Sequence, residues 1–216
     1  MAKRKPNGEY TGLAGGLVLY EMNGKGIMRG KSKKRIDKSD QLKEIRSEFG
    51  VVVEAIKTLK PILTFGFKDH TRNRSAYHSA LSVNLSNYYQ ALGLNNADNY
   101  GWLQISHGKL SGAAEVSATK LPDGKIEIKW MGTEPGKAHF SEDTVLAGIF
   151  LNKSKVFKLG PHYVLRSAGS IVIDTGSIEE GEKADVFLAF RIRENNYKSN
   201  SDKNVSASQW AGTITF

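Results

Sequence analysis

DQLKEIRSEFGVVVEAIKTLKP, residues 40–61, carries the least ambiguous periodicity in the chain. Leu42, Ile45, Phe49, Val52, Ile56, Leu59 and Leu63 recur at alternating steps of three and four, which draws one apolar stripe down a helix. Lys43, Glu44, Arg46, Glu48 and Lys57 occupy the other faces. Ser39 is placed to cap the N-terminus, and Asp40 sits in the first turn, where the helix dipole favours a negative charge. Pro61 lacks an N–H and restricts the residue before it, so the helix is expected to end or kink near Lys60. This helix stands between a basic, glycine-rich beginning and a second half, after residue 98, that reads as β.

Downstream, Ile62 to Phe67 reads as an apolar exit and Lys68 to Arg74 as a polar link. Tyr77, Leu81, Leu85, Tyr88 and Leu92 return to helical spacing, so a second helix is expected over Ser75–Leu92, with Gly93 suited to a left-handed C′ position. From Tyr100 the period becomes two. Strands are expected at Trp102–Ser106, Glu115–Thr119, Ile126–Trp130, Val145–Leu151, Val156–Leu159, Tyr163–Arg166, Ser170–Ile173, Val186–Ile192 and Trp210–Phe216. Pro122-Asp123-Gly124 supplies one turn, and Asn195–Asn204 reads as a polar loop. Short strands at this spacing indicate an antiparallel sandwich of immunoglobulin-like type.

Upstream, residues 1–16 read as an extended arm, because Lys, Arg, Pro6 and four glycines oppose regular structure. Leu17 to Arg29 then carries a hairpin signal around Asn23-Gly24, a dipeptide that accepts the positive φ angles of a type I′ turn. Residues 1–38 hold ten Lys or Arg against three acidic residues, so +7 of the net +9 lies there. The protein is a near-neutral body with a cationic beginning. It has no cysteine, which excludes disulfides, thiolate zinc sites and a cysteine nucleophile. Gly12 to Tyr20 is too short and glycine-broken for a signal peptide, and no stretch reaches transmembrane length, so cytoplasmic residence is expected.

Candidates for chemistry are sparse. Gly24, Gly26 and Gly30 approximate a phosphate loop, but no Lys-Ser or Lys-Thr opens a helix after them, and a turn explains them better. His70, His78, His107, His139 and His162 are scattered, with no carboxylate at ligand spacing. Glu179, Glu180, Glu182 and Asp185 read as a solvated turn, as do His139, Glu142 and Asp143. No serine elbow is present. Trp102, Trp130 and Trp210 are expected in a core before a sugar-binding face.

GLVLYEMNGKGIMRG at 16–30 resembles the opening of an uncharacterised family of about this length from Bacteroidetes genomes. Gln41-Leu42, Arg46 and Phe49, then Leu59-Lys60-Pro61, Phe65-Gly66-Phe67, Ser75-Ala76-Tyr77, Ala80-Leu81 and the Gly101–Gly112 segment with Ile105-Ser106-His107-Gly108 continue the similarity. The resemblance covers most of the chain and is most specific over residues 16–92. It implies a hairpin and helix as the defining unit, and no activity, cofactor or catalytic residue.

The expectation is therefore an α+β protein. Residues 1–98 form a basic arm, hairpin and helical unit, and residues 99–216 an antiparallel β-sandwich. Its expected function is non-enzymatic and structural, with self-assembly into a homo-oligomer or larger particle and no cofactor, metal or membrane partner. Leu17, Leu19, Tyr20, Ile27 and Met28 would make the intersubunit contacts, because an arm and hairpin add strands to a neighbour's sheet edge. The alternative is nucleic-acid or other polyanion binding by Lys3, Arg4, Lys5, Lys25, Arg29, Lys31, Lys33, Lys34 and Arg35. About seven such phosphate contacts would weaken binding roughly 10³–10⁴-fold between 50 and 200 mM salt. A carbohydrate- or protein-binding sandwich is the third reading.

Overall fold

A computed structural model describes residues 3–4, 10–22, 24–32, 40–70, 74–94, 99–132, 141–193 and 201–216. Its contacts divide the chain between Glu44 and Ile45 rather than near residue 98, giving the units Met1–Glu44 and Ile45–Phe216.

The first unit is a four-stranded antiparallel sheet in the order β1 (Lys3–Arg4), β2 (Tyr10–Ala14), β3 (Leu17–Met22), β4 (Lys25–Gly30). The Leu17–Arg29 hairpin forms as its sequence dictates: Met22 pairs with Lys25, and Gly24 takes a φ of 73° in the turn. Asn23 lies outside the described residues. The reading of residues 1–16 as an arm is corrected over Tyr10–Ala14, where Leu13 pairs with Val18 and Gly15 turns the chain at a φ of 58°. The glycines that argue against regular structure there supply the turn between two paired strands.

The second unit begins within α1 (Asp40–Thr58). Val52, Ala55, Ile56 and Leu59 of the apolar stripe are buried, whereas Ile45 and Phe49 stay exposed. Ser39 lies outside the described residues. The helix breaks at Leu59, and Pro61 sits in the first turn of α2 (Lys60–Gly66), where its missing N–H leaves no bond unmade. The expected apolar exit is thus itself helical. α3 (Ala76–Gly93) starts on Ser75, whose Oγ accepts from the His78 N–H at 3.3 Å. Gly93 is the last helical residue rather than a left-handed cap, and Leu94 follows it.

No ladder forms at Trp102–Ser106, contrary to the expected strand. Side chains satisfy this backbone instead. Asn84 donates to the Gln104 carbonyl and accepts from its N–H, Asn87 donates to the Trp102 carbonyl, and Ser208 Oγ accepts from the Ile105 N–H. Tyr163–Arg166 is likewise no strand; a short 3₁₀ turn occupies Arg166–Ala168.

Seven described strands form the β half: β5 (Glu115–Lys120), β6 (Ile126–Met131), β7 (Thr144–Leu151), β8 (Val156–Leu159), β9 (Ser170–Ile173), β10 (Lys183–Arg191) and β11 (Gln209–Thr215). They make two antiparallel sheets, ordered β5-β6-β9 and β11-β10-β7-β8. Counted within the sandwich, the first, second and fifth strands form one sheet, and the seventh, sixth, third and fourth the other. That is an immunoglobulin-like order, with the fourth strand joined to the third instead of the fifth. No barrel closes.

Both faces of the four-stranded sheet are covered. Val145, Ala147, Ile149 and Leu151 of β7, with Ala184, Val186, Leu188 and Phe190 of β10, pack against Ile126, Ile128 and Trp130 of β6. Leu146, Phe150 and Phe187 face the other way, into a core shared with Val52, Ile56, Leu63 and Trp102. Helices, a central sheet and an outer sheet make three layers. A strand buried on both faces has no polar side to show, so β7 and β10 read as nearly continuous apolar runs.

Candidate assembly interface

The register of the first unit decides which side chains act together. Paired residues of antiparallel strands share a face, and their neighbours point the opposite way. Leu19 pairs with Gly12 and Met28, and Leu17 with Ala14 and Gly30. Tyr10, Gly12, Ala14, Leu17, Leu19, Glu21, Gly26, Met28 and Gly30 therefore lie on one face. Val18 pairs with Leu13 and Arg29, Tyr20 with Ile27, and Met22 with Lys25. Lys3 pairs with Thr11, which puts it on this second face too.

The five residues expected to make subunit contacts are thus divided. Leu17, Leu19 and Met28 share the first face; Tyr20 and Ile27 belong to the second. Of the cations in these strands, Arg4 stands opposite Tyr10 of the first face in the register, and the other three belong to the second. Lys3, Lys25 and Arg29 all lie on the second face, and the Arg29 guanidinium stands 5.8 Å from the centre of the Tyr20 ring. Lys31 follows β4, its N–H donating to the Gly16 carbonyl at 2.7 Å. Arg4 is described in its backbone alone, and Lys5, Lys33, Lys34 and Arg35 lie outside the described residues. Over residues 10–30 the first face carries one charged side chain, Glu21.

Among the described residues of this unit, nothing covers either face. No described side chain of β2, β3 or β4 is buried, and Tyr10, Leu17, Met22 and Met28 are 57, 41, 55 and 66% exposed. A sheet acquires independent stability from a covered hydrophobic face, which this one lacks. The outer edge of β4 has no strand beside it among the described residues, so a row of backbone donors and acceptors is open there.

Of the acidic residues read as solvated turns, Glu179, Glu180 and Glu142 are exposed as expected, but Glu182, Asp185 and Asp143 are buried. Asp185 is fully buried and accepts four hydrogen bonds: from the Tyr100 N–H at 2.9 Å, Asn152 Nδ2 at 3.0 Å, Trp210 Nε1 at 2.9 Å and Thr213 Oγ1. Glu182, 3% exposed, accepts from the N–H groups of Lys153, Ser154 and Lys183. Asp143 is buried 3.7 Å from Arg166, whose guanidinium donates to the Ser111 and Gly112 carbonyls and stacks 4.0 Å over Phe190. Glu142 is exposed beside Arg193, and His139 lies outside the described residues. These groups hold loops to strands. Trp130 and Trp102 are core as expected, Trp130 Nε1 donating to the Arg166 carbonyl, while exposed Trp210 lines a cleft that the edge of Trp102 also reaches. Among the described residues, no three His, Asp or Glu side chains gather to hold a metal, and no helix is long and apolar enough to cross a membrane.

An N-terminal sheet without a buried side chain in β2, β3 or β4 and an immunoglobulin-ordered sandwich define the chain as an α+β protein. The chain belongs to a family of unknown function, DUF6266, whose model matches residues 10–205. No curated protein and no solved structure matches it.

Proposed function

We propose that this is a non-enzymatic structural protein that self-assembles through its N-terminal sheet. The observation that carries this reading is a four-stranded sheet without one buried side chain in β2, β3 or β4. A second copy is the occupant that charge favours. Over residues 10–30 two first faces meet without opposing cations, whereas two second faces would set Lys25 and Arg29, with Lys3 of β1 beside them, against their own copies. Completing the burial of Tyr10, Leu17, Leu19 and Met28, each already partly covered, contributes roughly 3–6 kcal/mol per copy before the cost of association. Backbone pairing along the β4 edge would add to it. The reading includes cytoplasmic residence and, on the resemblance at residues 16–30, a Bacteroidetes source.

Light scattering on the eluting full-length protein tests the proposal. An assembly that persists at high salt is expected, and Leu19→Asp on the first face dissociates it while Tyr20→Lys on the second does not. A 23.8 kDa monomer at every concentration overturns the reading.

A second reading rests on the shared face of Lys3, Lys25 and Arg29, which suits a polyanion. Three phosphate contacts imply binding that falls only about 40-fold between 50 and 200 mM salt. Fluorescence anisotropy with a labelled duplex measures that slope.

A further inference from the structure

A cleft of about 320 Å³ opens in the second unit, between the C-terminal end of α3, the segment after it and β11. Among the described residues that line it none is charged, although one residue in four of the chain is. What lines it instead is two indoles and a set of amides: Trp102, Trp210, Asn87, Gln90 and Gln104.

The indole of Trp210 is 43% exposed yet held in place, because its Nε1 donates to buried Asp185. Gly101 supports it from beneath; a β-carbon there would stand 3.2 Å from a ring atom, so a larger residue would push the ring away. The amides are engaged on one side only. Asn87 spends Nδ2 on the Trp102 carbonyl at 3.1 Å, which leaves Oδ1 as an acceptor. Gln104 turns Oε1 to His107 Nδ1 at 3.3 Å, which leaves Nε2 as a donor. The Gln90 side chain has no hydrogen-bond partner among the described residues. Trp102 adds the edge of its ring only, because its indole N–H is buried out of reach of the cleft and has no acceptor among the described residues.

We propose that this cleft binds a neutral saccharide of one or two rings. A pyranose offers an apolar face for the Trp210 plane and a rim of hydroxyls that both donate and accept, matching amides with one half committed to the fold. The absence of a lining cation sets this site apart from one for a nucleotide, whose phosphates call for Arg or Lys. The proposal is independent of self-assembly and fails or stands separately from it.

The test is a neutral glycan array probed with the full-length protein, followed by calorimetric titration of a disaccharide it selects, with AMP as the control. Selective binding with a dissociation constant on the order of 1 mM is expected for so few contacts. Gln90→Ala, at a side chain with no role in the fold, weakens it about fivefold, the equivalent of one neutral hydrogen bond. Trp210→Phe keeps a ring but loses its tether, and weakens it further. Binding to no array glycan, affinity unchanged in both variants, or AMP binding as tightly as the disaccharide each overturns the proposal.

Discussion

Replacing Asp185 tests the account of how the second unit is joined. Its carboxylate ties the segment after α3 through Tyr100, the β7–β8 turn through Asn152, and β11 through Trp210 and Thr213. Asp185→Ala leaves four donors facing a small void, and each orphaned donor costs about 1–3 kcal/mol. The total, roughly 4–12 kcal/mol, is comparable to the whole stability of a typical domain. This variant should therefore fail to fold. Asp185→Asn keeps the shape and one acceptor oxygen for Trp210 and Thr213. Its new NH₂ would oppose Asn152 Nδ2, but Asn152 Oδ1 is buried without a partner, so a flip of that amide restores a bond. The Tyr100 N–H remains orphaned and two charge-assisted bonds become neutral, which costs about 2–4 kcal/mol. Urea unfolding followed by tryptophan fluorescence reads the difference as a shift in midpoint. Asn152→Ala should cost more in the Asp185→Asn background than in the native protein, since the flipped amide is then the compensating partner. Asp185→Ala within 1 kcal/mol of the native protein would refute the reasoning.

Three other outcomes follow from particular contacts. A β-carbon on Gly66 would meet the Ile105 carbonyl oxygen at 2.1 Å, so Gly66→Ala should destabilise by about 2–3 kcal/mol in the same urea assay. Burial first, and the Glu48 carboxylate second, raise the pKa of the Tyr88 phenol above its ordinary value of 10.0. A phenol that ionises later when folded than when unfolded gives stability that is complete below pH 10 and declines as pH rises through the folded value; Tyr88→Phe should flatten that decline in alkaline denaturation. The hydrogen bond from exposed Lys125 holds the Asp123 carboxyl below its usual range, so Lys125→Ala should move its NMR titration upward.

What was legible in the sequence is what short-range pattern determines. The hairpin, α1, the break at Pro61, α3 and the seven described strands of the sandwich follow from spacing and turn chemistry. Strand β2 was not, because Gly12, Gly15 and Gly16 weaken its local signal and its reason to be a strand is β3. Trp102–Ser106 alternates like a strand, yet Asn84, Asn87 and Ser208 take the bonds that a ladder would have made. Asp185 and Glu182 resembled surface acids because residue type speaks for exposure, while their donors come from distant segments. The change from helical to alternating pattern near residue 98 marked a change of secondary structure. Compact units are defined by shared core, and α1, α2 and α3 share theirs with β7 and β10. The assembly residues differ: strand alternation sends adjacent Leu19 and Tyr20 to opposite faces, and the register adds that Met28 joins the first and Ile27 the second.

The contrast between the two units leads to a direct check on assembly. The second unit has two apolar cores, one on each side of its central sheet. The first has strands whose hydrogen bonds are in place and whose side chains are uncovered. Amides in β7 and β10 open only by disrupting a core, so their hydrogen exchange is independent of protein concentration. On the proposed assembly, amides of β3, central in the N-terminal sheet, would be protected by burial that a second copy supplies. Mass action then makes their protection rise with the square root of concentration, by about 0.7 kcal/mol for each tenfold increase while the dimer predominates over open monomer. Hydrogen exchange measured on the intact chain over a hundredfold range of concentration distinguishes the two sets of strands. Protection of Leu19 and Tyr20 that follows dilution, beside constant protection of Val186 and Leu188, is the expected result. Protection in β3 that does not change with concentration would mean that the sheet is stable without a second copy, and the reason for assigning it to self-assembly would be gone.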